Sequence, residues 1–463
     1  MTEVAEPSTP RAARPRGPRS SIDALSYHPG RDLVERWAAE EPDWLGATRR
    51  AALEAFEALS TEPNQLYTPY VDLRAAALAD VRAYEAPEGS PADSSPARAE
   101  GLAALAEFDE DRVPVVALDP AARRAGVTVE PLGALVARDP SLARRLLTDD
   151  ASLPADDKLA QLSRAAWNQG VVVRVPAGVV LEAPIVLRWI AGTAGHAVHG
   201  RTIVELGEGA EASLVEELVA SPAGTPGGQA LFTGTTEIRL AAHARLAMAS
   251  LQELGPDQVV FQQRRAVIGE GADLHWALAQ LGGRLVRSRV DNVLAGDRSS
   301  VEQVEIVFGA GDQLHDLTSY TRHVGRDTTG QLLSKGALLD RARSYMKGLI
   351  TIERSAVGTD SFLGEFGMNL SKSARAVAIP SLEIDQPDCR RAAHSSSVGP
   401  IDETQLFYLE SRGIPPDEAR KFIVLGFLEP VVARVPLEDA RDRLREALEA
   451  KWAAGLAGRS AAA

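Results

Sequence analysis

Residues Gly170–Ile190 read GVVVRVPAGVVLEAPIVLRWI, and at Gly170 the character of the chain changes. The β-branched runs are short and are broken by Pro176 and Pro184, each of which fixes φ and removes a backbone donor. The segment therefore predicts strands joined by tight turns rather than a helix. The same texture continues through RTIVELGEGAEASLVEELVA, LFTGTTEIRLAAHARLAMASLQEL, QRRAVIGEGADLHWALAQL and RSRVDNVLAGDRSSVEQVEIVF to about Ile384. Strands of about 5–8 residues alternate with small-residue turns. GEGAEASL at Gly207–Leu214 returns as GEGADLHW at Gly269–Trp276, and looser turns fall at AGDRSSV, LDRARSY, VGTDSFL and SKSARAV. Turn spacing of about 15–34 residues is irregular but fits stacked coils, each burying an apolar face on its neighbours. The pattern also permits a sandwich or an open sheet; a β-solenoid is the preferred reading.

On either side of this β-rich core, residues 166–397, the periodicity is helical. In RDLVERWAAEEPDWLGATRRAALEAFEAL, Leu33, Trp37, Trp44, Ala52 and Phe56 recur at helical spacing. Residues 21–165 are accordingly expected to form an N-terminal helical region, with a Pro/Ser-rich mobile linker at 85–100. Residues 1–20 carry arginines without an apolar stretch and read as a disordered tail rather than a secretory signal. Beyond the core, 398–463 is expected to be helical. Asp402 can cap a helix opening at Glu403, with Gln405 as capping-box partner. Gly413 ends that helix, and Pro415 and Pro416 open the next. Ala440, Leu444, Leu448 and Trp452 then mark one stripe of a last helix.

Composition narrows the function. The 463 residues are 45% hydrophobic and 25% charged, ordinary for a globular protein of two or three domains. No apolar run approaches the ~20 residues that span a bilayer. A net charge of −14 disfavours nucleic acid or an anionic membrane as partner. The single cysteine, Cys389, excludes an intrachain disulfide and suits a reducing compartment, so a cytoplasmic location is expected. Aromatic content of 5% argues against a stacking platform for sugars or bases. The phosphate-cradling G-x-x-x-x-G-K-[ST] is absent, as are G-x-S-x-G, H-E-x-x-H and C-x-x-C. The chain carries no self-sufficient catalytic motif, and a non-catalytic role is expected.

The remaining polar chemistry lies late in the chain. His196 and His199 sit in AGHAVHG, a loop-like context, while His315 and His323 at even spacing would share one strand face. Hydrogen-bonded histidines within a β-layer are preferred over metal ligation for both pairs. Cys389 and His394 are the more reactive combination, since a thiolate beside an imidazole can be a nucleophile or soft ligand, with Arg390 and Arg391 to assist. A lone cysteine is more often a small buried hydrophobe, and that reading is preferred for Cys389. An iron–sulfur cluster takes four Cys or mixed Cys/His ligands, so any cluster held here must borrow ligands from a partner.

QLSRAAWNQGVVVRVPAGVVLEAPIVL, the later coils SKGALLDRARSYMKGLITIERSAVGTDSFLGEFGMNLSKSARAVAIPSLEID, and above all HSSSVGPIDETQLFYLESRGIPPDEARKFIVLGFLEPV resemble the SufB/SufD family of the Suf system. The resemblance covers about Asp32 to Val435. It implies a mainly β fold, a right-handed parallel β-helix core flanked by helical regions, and a scaffold role in iron–sulfur cluster assembly. It further implies pairing with a SufB subunit through the core and docking of the SufC ATPase on the C-terminal helices. A transient cluster would form at the shared interface near His394, and a flavin in the complex is a further cofactor the resemblance allows. Cys389 is a weaker metal candidate, because residues Arg391, Ala392 and Ala393 separate it from its expected place beside the histidine. SufB-type chains carry further cysteines and a Glu after the equivalent His, where this chain has Ser395. Partner contacts are expected at Phe407, Tyr408, Arg412, Gly413, Ile414, Pro415, Ala419, Arg420 and Phe427, with Phe422 as a further apolar anchor. Two rivals are a self-associating homodimer using the same core edge, and a β-helix enzyme acting on polysaccharide; few aromatics and no secretory signal speak against the latter.

Overall fold

A computed structural model describes residues 24–85, 100–110, 112–148, 153–222 and 228–462, with side chains as far as 455. The expected tail at 1–20, and all but the ends of the linker at 85–100, lie outside the described residues. Four short strands come first: β1 (Arg82–Ala83), β2 (Ala104–Asp109), β3 (Val115–Leu118) and β4 (Thr128–Pro131). The core then runs β5 (Gln169–Val175), β6 (Ile185–Ala191), β7 (His196–Leu206), β8 (Glu211–Ala220), β9 (Ala230–Leu240), β10 (Arg245–Glu253), β11 (Gln258–Ile268) and β12 (Asp273–Gln280). It continues with β13 (Leu285–Leu294), β14 (Ser300–Gly309), β15 (Leu314–His323), β16 (Thr329–Leu338), β17 (Arg343–Ile352), β18 (Asp360–Asn369), β19 (Arg375–Ile384) and β20 (Arg391–Pro400).

Odd-numbered strands stack as β19-β17-β15-β13-β11-β9-β7-β5-β4, and even-numbered ones as β20-β18-β16-β14-β12-β10-β8-β6-β2-β3. Consecutive strands thus lie on opposite sheets, and each pairs in parallel with the strand two places on. This is a parallel β-solenoid of about 8 coils. Parallel pairing keeps equivalent positions on one face. Leu246, Leu274 and Val301, for example, are register partners and all buried in the lumen.

One edge of the solenoid explains why the repeat was only half visible. Gly178, Gly209, His243, Gly271, Arg298, Asp327 and Gly358 occupy equivalent turn positions, all with positive φ between 54° and 78°. Each donates its N–H to the coil above: Gly209 to Ala242 O at 2.9 Å, His243 to Glu270 O at 2.7 Å, Gly271 to Asp297 O at 2.8 Å. Arg298, Asp327 and Gly358 continue the series to Arg326, Val357 and Asp388, each at 2.8 Å. A left-handed backbone costs an L-residue about 1–2 kcal/mol, which His243, Arg298 and Asp327 bear because the stacked turn imposes it. AGDRSSV and VGTDSFL fall on this edge and LDRARSY and SKSARAV on the other, which accounts for the irregular spacing.

Helices cover part of each outer face, burying apolar residues at some outward positions and ion pairs such as Arg287–Asp316 at others. Helices α1 (Arg31–Glu40), α2 (Asp43–Ala58), α3 (Pro120–Arg124), α4 (Leu132–Arg138), α5 (Pro140–Thr148) and α6 (Lys158–Ala166) belong to the N-terminal region. From it Phe56, Leu159 and Leu162 pack on Leu231, Val259 and Phe261 of the odd sheet. Helices α7 (Glu403–Ser411), α8 (Pro416–Val432) and α9 (Glu438–Ala462) follow the core. Ala440, Leu444, Leu448 and Trp452 form the expected stripe, buried with Val424 and Leu428 of α8 against Ala277, Ile306 and Phe308 of the even sheet.

Several expectations need revision. Core strands are longer than expected, with 10 residues in β14 and 11 in β9, because covered faces on both sides let pairing extend. His196 and His199 are in β7, not a loop. The segment read as helical also supplies β2 and β4, which extend the two sheets and pair with β6 and β5. In α1 it is Val34 and Ala38 that are buried, one residue past Leu33 and Trp37.

Trp452→Ala should cost about 3–5 kcal/mol, the range for truncating a buried aromatic. A lowered urea midpoint with α-helical circular dichroism lost first is the expected result.

Candidate functional site

The two ends of the solenoid differ. At its start, β3 and β4 close the sheets in antiparallel fashion. At its finish, among the described residues, β19 pairs only with β17 and β20 only with β18, so the last coil presents two strand edges. His394 lies on β20 and is exposed. Its register partner is Leu363, which in turn pairs with Leu332, so the imidazole continues an inward-facing column at the open end. Ser395, Ser396, Ser397 and Val398 beside it are exposed too.

Cys389 lies in the turn between β19 and β20. The amide of Gly358 donates to Asp388 O, so Cys389 takes the next place in the turn column after Gly358. It is half-buried and packs with Leu382 and Ala392 on Leu332, Ile350, Ile352, Ala356 and Leu363. The two arginines expected to assist it are engaged elsewhere: Arg390 is ion-paired with Asp327, and Arg391 Nε donates to Asp360 Oδ1 at 2.9 Å. Among the described residues no group of three or more His, Cys, Asp or Glu side chains gathers as a metal site. His394 and Cys389 share the terminal coil, and neither completes a ligand set within this chain.

Two further histidines, His199 and His323, are held by buried hydrogen bonds. His199 Nε2 meets Tyr27 Oη at 2.8 Å and its Nδ1 meets Thr233 Oγ1 at 2.7 Å. His323 Nδ1 meets Thr328 Oγ1 at 2.8 Å and its Nε2 meets Ser361 Oγ at 3.0 Å. His315 and His323 share the inner face of β15 and are fully buried. Burial disfavours the imidazolium and pulls His199 and His315 down to about 3 and His323 to about 4.

After β20 the chain turns into a helical hairpin. Asp402 Oδ1 accepts from the amides of Thr404 at 2.8 Å and Gln405 at 3.4 Å, capping α7. Gly413, at φ 85°, closes it, with the amide of Ile414 donating to Leu409 O at 3.3 Å. Pro416 opens α8. No residue of α7 is buried. Phe407, Tyr408 and Phe422 are 71%, 56% and 61% exposed, while Arg412, Gly413 and Pro415 are exposed and Ile414 and Arg420 half-buried. Two residues of the expected contact set face inward instead. Ala419 is fully buried. Phe427 is half-buried beneath Lys335, whose Nζ sits 4.6 Å from the ring and donates to Phe427 O at 2.7 Å. Phe427 anchors the hairpin to the solenoid, and the rings of Phe407, Tyr408 and Phe422 stay exposed.

Solenoid, unfinished last coil and projecting hairpin define a parallel β-helix protein with one open end. The family model for the SUF system FeS cluster assembly SufBD core domain matches residues 189–427, and the chain belongs to that family. It is 28% identical to the iron-sulfur cluster assembly protein SufD of Bacillus subtilis over 311 residues, 67% of this chain and 70% of the relative. It is also 28% identical over 300 residues to an iron-sulfur cluster assembly SufBD family protein of Mycobacterium bovis, 63% of this chain and 74% of the relative. No helix among the described residues is long and apolar enough to cross a membrane.

The buried histidines carry a pH signature. Their folded pKa values lie below the unfolded ~6.5, so the unfolded chain takes up protons the fold refuses, and the stability they contribute is lost as pH falls from ~6.5. His323→Gln should lose about 1–2 kcal/mol less than the unaltered protein between about pH 6.5 and 5, at ~1.4 kcal/mol per proton per pH unit. Urea midpoints at the two pH values measure it.

Proposed function

We propose that this chain is a non-catalytic scaffold subunit for iron–sulfur cluster assembly, which pairs with a SufB subunit at its terminal coil and docks the SufC ATPase on the α7–α8 hairpin. The observation that carries this reading is the unfinished last coil, with exposed His394 on a strand edge and an incomplete ligand set. A strand edge has a row of N–H and C=O groups that invite strand addition. A partner that pairs there brings its own side chains beside His394. A neutral imidazole is a borderline ligand suited to iron, and the cluster is cargo shared between two chains. Cys389 is given no ligand role.

The hairpin supplies the second surface. Phe407, Tyr408 and Phe422 are large apolar groups of the kind that anchor interfaces. Beneath them α8 is tied to the even sheet through Lys335, Phe427 and the Arg434–Glu302 pair at 3.5 Å. Movement of a docked ATPase would therefore reach the strands that lead to β20. A homodimer through the same strand edges is the second reading, supported by the same open coil; size-exclusion chromatography with and without SufB separates the two.

His394→Ala should abolish cluster accumulation on the co-purified complex while leaving the complex assembled; normal iron and sulfide content would sink the ligand role. Removing residues after Pro400 should lose the ATPase, and retention of SufC would overturn the docking assignment.

A further inference from the structure

One register position on the inner face of the even sheet reads Glu216, Ser250, Leu278, Glu305, Ser334, Glu365 and Ser396 from coil to coil. All are buried except Ser396, which is exposed on the terminal strand. Three carboxyls stacked in a lumen demand an electrostatic explanation, because burying an unpaired charge is expensive. Glu216 has one: its Oε2 accepts from Arg264 Nη2 at 2.8 Å and from Ser250 Oγ at 2.7 Å. Glu305 and Glu365 have no ion-pair partner of that kind. Burial pushes Glu305 up to about 7 even though Arg264 favours its ionised form, with Gln280 and Ser288 facing it. Burial pushes Glu365 up to about 8, with Glu305 adding to the rise. The Ile379 amide, which donates to Glu365 Oε2 at 2.9 Å, and Lys347 oppose that shift. Lys347 is itself held by Asp316 at 2.5 Å, and Tyr67 also senses the Glu365 charge.

The surroundings are built for these groups. Gly348 of β17 leaves room for the Glu365 side chain: a Cβ there would stand 2.9 Å from Glu365 Oε1 and 2.5 Å from Leu363 Cδ2. Around Glu305, the buried atoms Arg264 Nε and Nη1, Gln262 Oε1 and Glu305 Oε1 have no protein partner. Buried polar groups of this sort are satisfied by internal water.

We propose that Glu305 and Glu365 form a proton store inside the solenoid, filled through the open terminal coil and serving bases bound there. The proposal rests on the reading of that coil as the assembly site. A thiolate or imidazole at the coil takes the proton of the Glu365 carboxyl, leaving a carboxylate held by the Ile379 N–H. Ser334, between the two, accepts a proton from Glu305 at its oxygen as it releases its own to Glu365. The Glu305 carboxylate then faces the Arg264 guanidinium. Bulk water returns both protons through the same end, and no electrons move.

Infrared absorption of protonated carboxyl groups, recorded on the metal-free full chain between about pH 5 and 9, tests the store directly. A signal that persists to about pH 7 and disappears by about 9 is expected, with one component missing in Glu305→Gln and another in Glu365→Gln. A signal gone by about pH 5, or untouched by both substitutions, overturns the store. In the assembled complex, Glu365→Gln should slow cluster accumulation at least tenfold and flatten its pH profile, with partner binding intact. Ser334→Ala should keep both infrared components yet show the same slowing, which separates passage of protons from a folding defect. Unchanged rates in both variants overturn delivery. A wild-type complex that gathers no cluster overturns the reading of the terminal coil, while the infrared titration still decides the store.

Discussion

Parallel, in-register pairing is the constraint on which the rest of this structure depends. A side chain in one coil sits directly over its counterpart in the next, so whatever a position contributes is repeated along the axis. Apolar positions become the continuous lumen that runs from Val171 to Val301. Turn positions become a ladder in which each left-handed residue is held by the carbonyl of the following coil. The same rule places carboxyl over hydroxyl over carboxyl from Glu305 through Ser334 to Glu365. Stability in such a stack is a sum of neighbour terms. A strained turn such as Asp327, at φ 54°, persists because coils on both sides impose it.

The helical flanks are joined to this stack by buried charge as well as apolar area. Arg287 donates to Glu62 Oε2 at 2.6 Å and to Asp316 Oδ2 at 3.2 Å, and Lys347 lies against Asp316 and Glu62. Arg343 reaches Asp72 at 3.0 Å. Removing one member of a buried network strands its partner at a cost of about 3–5 kcal/mol, so the network fixes where the N-terminal region sits on the odd sheet. Its charges come from residues such as Glu62 and Arg287, far apart in sequence and ordinary in local context.

That distance marks what could be read from sequence. The solenoid was legible because Pro176 and Pro184 exclude helix and GEGA turns recur; the last helix was legible because Ala440, Leu444, Leu448 and Trp452 keep a single stripe. The hairpin was legible from Asp402, Gly413 and Pro416, whose conformational preferences are local. His243, Arg298 and Asp327 concealed the turn repeat, since only the stack reveals that they replace glycine. β2 and β4 were missed because a four- to six-residue strand joining a distant sheet carries no periodicity of its own. Of the candidate site, His394 was found by family resemblance, whereas the inward turn of Ala419 and Phe427 and the ion pairs of Arg390 and Arg391 depend on packing. The Glu305–Glu365 column leaves no local signal at all, because its members are about thirty residues apart, one coil each or more.

The two ends of the stack receive opposite treatment, and the difference has a physical reading. At the start, the outermost strands are the antiparallel β3 and β4, of only four residues each. At the finish, β19 and β20 remain edges; Arg375, Glu383 and Arg391 are exposed on them and Pro380 interrupts β19, alongside the exposed serines around His394. An edge of 10 residues in each sheet still offers backbone N–H and C=O groups to an added strand. The exposed rings of Phe407, Tyr408 and Phe422 lie on the hairpin that follows directly from β20. Among the described residues the longest free strand edges and the exposed aromatic rings thus both fall between Arg375 and Val432. Under the proposed function, the terminal coil and the hairpin are the two surfaces that partners would cover.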